Sequence, residues 1–151
     1  MSGFRTMSSA LTDIEKAVMD ATAMKKSPGL ITLDSVPSTH VGDMFSCELQ
    51  SRNTGREGDR TALRAAHDLT VRFVHRINPN RASDDYKASM EREEKIIRAL
   101  MVQSSIPAIR VNWVSTRRTP TSTREHIIVE VLMSLEHYFP LNNSSETPGN
   151  G

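Results

Sequence analysis

The sequence predicts an α+β fold: a four-stranded antiparallel sheet with two helices packed on one face, in the order α-β-β-α-β-β. Three observations predict it. Two stretches repeat their apolar residues at helical spacing, four alternate apolar and polar residues with period two, and the strands come in pairs, each pair preceded by a helix. At 151 residues, with 37% apolar and 25% charged, the chain suits one packed core. The expected division is an arm over 1–9, one domain over 10–140 and a disordered tail over 141–151. That tail is Asn, Ser, Gly and Pro with almost nothing apolar to offset its ordering entropy.

The first helix is expected over roughly 10–25. Leu11, Ile14, Val18 and Ala21 form its stripe, Thr12 and Glu15 have capping-box spacing, and Ser27-Pro28-Gly29 ends it. A small strand is expected at Leu30 to Leu33. In the next strand, Met44 to Gln50, Phe45, Cys47 and Leu49 share a face. A polar loop, Ser51 to Thr61, leads to a long strand from Ala62 to Ile77, which should bend or carry a bulge because it exceeds the usual strand length.

Asn78-Pro79-Asn80 is a turn. Ser83 is the expected N-cap of the second helix, with Asp84 and Asp85 on its first turn, where the helix dipole favours negative charge. The helix runs to about Met101, with Tyr86, Met90, Ile97, Leu100 and Met101 as its stripe. Glu93 falls inside that stripe, either snorkelling at its end or making an inter-subunit contact. Ile109, Val111 and Trp113 mark the third strand, with Trp113 expected in the core. Arg117 to Arg124 is a polar hairpin connection, and His126 to Phe139 is the last strand.

Charge and composition narrow the function. The formal net charge is +1, so any basic surface is local. One cysteine, Cys47, excludes a disulfide framework within the chain and a thiolate metal cluster. No secretory leader and no membrane-spanning run is recognised, which fits a reducing cytosol. No phosphate-cradling glycine loop or nucleophile elbow is present. His67 and His75 share a strand face but lie about 26 Å apart. His40, His126 and His137 lack zinc-site spacing. No catalytic residue, metal ligand or cofactor is assigned, and the expectation is a protein that assembles and does not catalyse.

The uneven feature is arginine. From Arg110 to Arg124 there are four arginines and no acid, and Arg64, Arg72 and Arg76 share the polar face of the long strand. One reading is a solvated sheet face and hairpin tip. The other is a basic surface, carried by Arg64, Arg72, Arg76, Arg117, Arg118 and Arg124, that meets an acidic partner or passing nucleic acid.

The pattern of elements over roughly 10–140 resembles the tail terminator family of long-tailed bacteriophages, the lambda-like minor tail proteins that cap the tail tube. The resemblance rests on the helix Leu11 to Met24, the Asp34-Ser35-Val36-Pro37 stretch before a strand and the long strand through Leu69-Thr70-Val71-Arg72-Phe73. It continues in the helix from Asp84-Asp85-Tyr86 to Leu100 and the closing hairpin Ile127-Ile128-Val129-Glu130-Val131. It implies a homo-oligomeric ring, most often a hexamer, in the virion and assembled in the host bacterial cytoplasm. The ring binds tube protein below and a head-side connector or stopper above, without a membrane, and genomic DNA passes transiently through its lumen. Another neck or head-tail connector protein, or a small nucleic-acid-binding α+β module, are the rival readings.

Overall fold

A computed structural model describes residues 6–31, 43–52, 62–102, 109–121 and 125–140, with the side chains of 52, 62–64 and 138–140 outside that description. The elements are α1 (Met7–Thr22), β1 (Lys25–Lys26), β2 (Met44–Arg52), β3 (Ala62–Arg76), a 3-10 turn (Pro79–Arg81), α2 (Ala82–Met101), β4 (Ile109–Pro120) and β5 (His126–Pro140). The α+β class is as expected. The sheet has five strands and is mixed, in the order β1-β2-β3-β5-β4. Four strands are antiparallel to their neighbours, and the two-residue β1 lies parallel to the start of β2.

Helix α1 starts earlier than the apolar pattern suggests. Thr6 caps it, its hydroxyl accepting from the Ser9 amide at 3.2 Å, while Thr12 bonds back to the Ser8 carbonyl. Met7 to Ser9 are therefore helix, not arm. The helix ends at Thr22, before the Ser27-Pro28-Gly29 stop. Ala23 takes a left-handed conformation, φ 60°, and its amide closes on the Met19 carbonyl. That turn drops Met24 into the core. The chain then forms β1 at Lys25–Lys26; of the strand expected at Leu30 to Leu33, Leu30 and Ile31 are not strand and the rest lies outside the described residues. Two residues suffice there because the Ser27 amide also bonds the Phe45 carbonyl, 2.8 Å, at the edge of β2.

In α2, Asn78 caps the 3-10 turn and Arg81, not Ser83, holds the N-cap position, without a side-chain cap bond. Asp85 accepts from the Asn78 amide at 2.7 Å, anchoring the helix start to the end of β3. The buried stripe is Ser89, Glu93, Ile96 and Leu100, while Tyr86, Met90 and Met101 are exposed. The helix is thus turned by about one residue from the expected stripe.

Strand β3 carries no bulge. It pairs residue for residue with β5 from Ala62 to Arg76, a span that only a long partner strand could cover. The irregularity lies in β4, between Trp113 and Ser115. The expected hairpin connection from Arg117 is strand as far as Pro120.

One core holds this together. Ala10, Ile14 and Val18 of α1 and Ile96 and Leu100 of α2 meet the odd-numbered residues of β2, β3 and β5, so both helices cover the same face. The opposite face carries a second, small cluster of Ile31, Val74 and Ile128, where the Ile31 amide bonds the Ser46 hydroxyl at 3.0 Å. The rest of that face is mostly polar, with Ala66 and the exposed Leu132 among it, and is uncovered by any described helix.

Candidate assembly surface

The open face is organised by charge. Glu48 on β2 accepts from Arg72 on β3 at 2.7 Å. Arg72 donates through Nε to Glu130 on β5 at 2.7 Å, and Arg117 on β4 stands 3.8 Å from the other Glu130 oxygen. The sheet order therefore turns four side chains, far apart in sequence, into one alternating row that crosses four strands. Arg72 and Glu130 in the middle keep only 19% and 9% of their side-chain surface, whereas Glu48 and Arg117 at the ends keep 43% and 72%. The middle pair is held by hydrogen-bonded ions, which stand desolvation better than single charges. Arg117 stands on the edge strand β4, and Glu48 on the part of β2 beyond β1. Glu130 Oε1 is buried without a hydrogen bond among the described residues, so only the Arg117 charge faces it.

The expected arginine surface separates into distinct parts. Arg72 is on the open face as expected but is paired on both sides. Arg76 is exposed at the end of β3. Arg117 is exposed on the open face at the β4 edge. Arg118 is not: it points to the helix side, forms an ion pair with Glu93, donates to the Ser89 hydroxyl at 3.3 Å and lies 5.5 Å over the Tyr86 ring. Arg117 and Arg118 are thus not equivalent loop charges, since adjacent strand residues point to opposite faces. Glu93 neither snorkels nor waits for another subunit; it is answered within the chain. The Arg64 side chain and Arg124 lie outside the described residues.

The β4 irregularity also sets Trp113. It stays on the helix side but at the sheet edge, 48% exposed, with its indole N–H bonded to Thr116 at 3.0 Å. It is not the core residue that alternation predicts. The expectation failed because β4 is an edge strand and α2 covers only part of it. Trp113 and Ile97 with Met90, Glu93, Glu94 and Arg98 line a shallow groove of about 330 Å³. Val114, in the bulge, is 59% exposed.

At the end of the sheet under the start of α1, β3 and β5 bring together His67 and His137, two histidines that sequence spacing keeps apart. The β3–β5 pairing that joins them has no local signal. Cys47 is buried, as alternation indicates, and burial pushes its thiol pKa far up, so it stays protonated. Among the described residues, no group of three or more His, Cys, Asp or Glu is placed to hold a metal ion, and no helix is long and apolar enough to cross a membrane.

No protein-family model and no curated protein sequence matches the chain.

Proposed function

We propose that this chain is a structural subunit of a tailed-phage virion, a tail terminator that forms a ring, most often of six copies, on the head-proximal end of the tail tube. The observation that carries this reading is the one-sided sheet: four long strands, described helices on one face only, and on the other an ionic row that crosses those four strands. A sheet of this kind leaves edges to be covered, and cyclic assembly covers them while turning one polar face to a common lumen. Balanced charge on that face suits DNA that must pass without arrest. Tube protein below and a head-side connector above are the partners this reading implies.

The nucleic-acid-binding module is less well supported by the geometry. Arg72 and Arg118 already have carboxylate partners, which weakens their claim on phosphates. The test is the mass of the purified chain by sedimentation at several concentrations, with negative-stain images of concentrated protein and of purified tails. A ring with a central hole is expected. A monodisperse monomer at high concentration that is also missing from particles would overturn the reading.

A further inference from the structure

We infer that copies of this chain join head to tail through their sheets, β4 of one copy adding antiparallel to β2 of the next, with Arg117 set against Glu48 of that next copy. The inference rests on the ring reading and names the surface that builds the ring.

Start from the free backbone. β4 is the last strand of the sheet, and no described residue pairs with its outer side. The Thr121 amide bonds the His126 carbonyl across the hairpin, so by alternation Thr116, Arg118 and Pro120 turn their backbones outward. Pro120, which has no N–H, costs no ladder bond there. At the other edge β1 covers only Met44 and Phe45. The Phe45 carbonyl points outward to Ser27, so Cys47, Leu49 and Ser51 also point outward, past the end of β1. Among the described residues, two short open stretches of strand therefore remain, one on each side of the sheet.

Strand direction fits them together. Each step from β2 through β3 and β5 to β4 reverses direction. β4 thus runs opposite to β2, and a second copy placed beside it in the same orientation meets it antiparallel. Opposing Arg117 and Glu48 keeps both on the ionic face and sets outward-facing Thr116 and Arg118 against Leu49 and Cys47.

Charge decides which edge β4 accepts. The exposed charges on the described part of β4 are Arg110 and Arg117, with no acid on the strand, so two β4 edges set like charges together. The β2 edge ends the ionic row with Glu48, and the β4 edge ends it with Arg117. Across the junction the row of alternating signs continues into the next copy: Glu48, Arg72, Glu130, Arg117, then Glu48 again. On the helix side, the exposed Trp113 and Met90 at the β4 edge face the place where α1 of the next copy would lie, since α1 sits over β2. Such a junction is heterologous, and it gives a ring where the rotation between copies closes and a filament where it does not.

Cysteine pairing tests it in the full chain. Within one copy, positions 48 and 117 are three strand spacings apart, about 14 Å, and a disulfide needs Cα atoms closer than about 7 Å. The double variant Glu48→Cys/Arg117→Cys can therefore close these bonds only between copies. Under mild oxidation it should give a ladder of dimer, trimer and higher species that runs up to one limiting band. Each single variant should give dimers at most, and the unaltered chain, with Cys47 buried, none. Thermal melting of each variant confirms that it is folded before oxidation.

If the unaltered chain sediments as a multimer but the double variant cross-links no more than the singles, the copies meet through another surface; the inference fails and the ring reading stands. If Arg117→Cys alone cross-links as fully as the double variant, the junction is β4 on β4 and the inference fails. A ladder without a limiting band supports the junction but makes an open filament, which defeats the ring reading instead. A chain that neither multimerises nor cross-links at high concentration defeats both.

Discussion

His67 and His137 stack ring on ring, centroids 4.9 Å apart, with their Nε2 atoms 2.8 Å from each other in a buried site. One nitrogen must donate and the other accept. The Ser51 hydroxyl donates to the Met7 sulfur and lies 2.9 Å from His67 Nδ1. The Ser51 contact at His67 Nδ1 and the Nε2–Nε2 contact tie Ser51 and the two rings into one chain of hydrogen bonds.

This chain of bonds has no room for a second proton between the rings. Burial, then the charge of His137, lowers the His67 pKa below its ordinary 6.5. In the unfolded chain the same group protonates near 6.5, so below that pH the unfolded state holds more protons than the folded one. The stability gained from the neutral pair is complete above pH 6.5 and is lost as pH falls below it. His75, also lowered by burial and by Arg92, adds in the same direction. Urea unfolding should show lower stability at pH 5.5 than at pH 7.5. His137→Gln, which keeps a donor toward His67, should flatten that dependence. An equal slope in the variant would show that the pair does not titrate as a unit.

The Arg118–Glu93 pair should behave as a buried ion pair. Both side chains keep 15% or less of their surface. Arg118→Ala leaves Glu93 charged and unanswered beneath α2, and the loss should approach the roughly 3–5 kcal/mol typical of such breakage. Arg118→Leu with Glu93→Leu should recover most of it, because neither charge is then left buried. Arg117→Ala, one residue away, should move the melting temperature little. Chemical denaturation of the three variants separates these outcomes.

Trp113 is the chain's one tryptophan, so its fluorescence reports the β4 edge. At 48% exposure it should emit near the wavelength of water-exposed indole in the dilute monomer. Trp113→Ala should cost well under the roughly 3–5 kcal/mol of a fully buried aromatic. If copies join at this edge, emission should shift to shorter wavelength as concentration rises. Emission that is already blue in the dilute monomer would place the ring in the core.

Ala23 holds φ 60° at the end of α1. A left-handed conformation costs a residue with Cβ about 1–2 kcal/mol, and glycine avoids most of that. Ala23→Gly should therefore raise stability by up to about 1 kcal/mol, read as a higher melting temperature. A lower one would show that the turn is held by other contacts at no cost.

The pattern of the sequence was sufficient for the elements with strong periods. The second helix, the strands at Met44, Ala62 and His126, and the burial of Cys47 follow from local alternation or helical spacing. Weak signals misled at ends. Thr12 looks like a cap but Thr6 is one, and Ala23 stops a helix without any sequence sign, because burying Met24 compensates for its strained turn.

Local pattern by itself determined the α+β class, the order of the two helices and four long strands, and which residues of β2, β3 and β5 face the core, but not the short β1. The hairpin pairs β2–β3 and β4–β5 follow from chain order, and only the tertiary structure decided that β3 lies beside β5. The β3–β5 pairing carries no local mark, since it joins residues about 50 to 80 positions apart. Yet it creates the His67–His137 pair and sets Glu130 between Arg72 and Arg117. Tertiary packing likewise turned α2 to bury Glu93 against Arg118 and left Trp113 at an edge. Periodicity says which way a side chain points; whether anything lies there to cover or neutralise it depends on contacts made by distant parts of the chain.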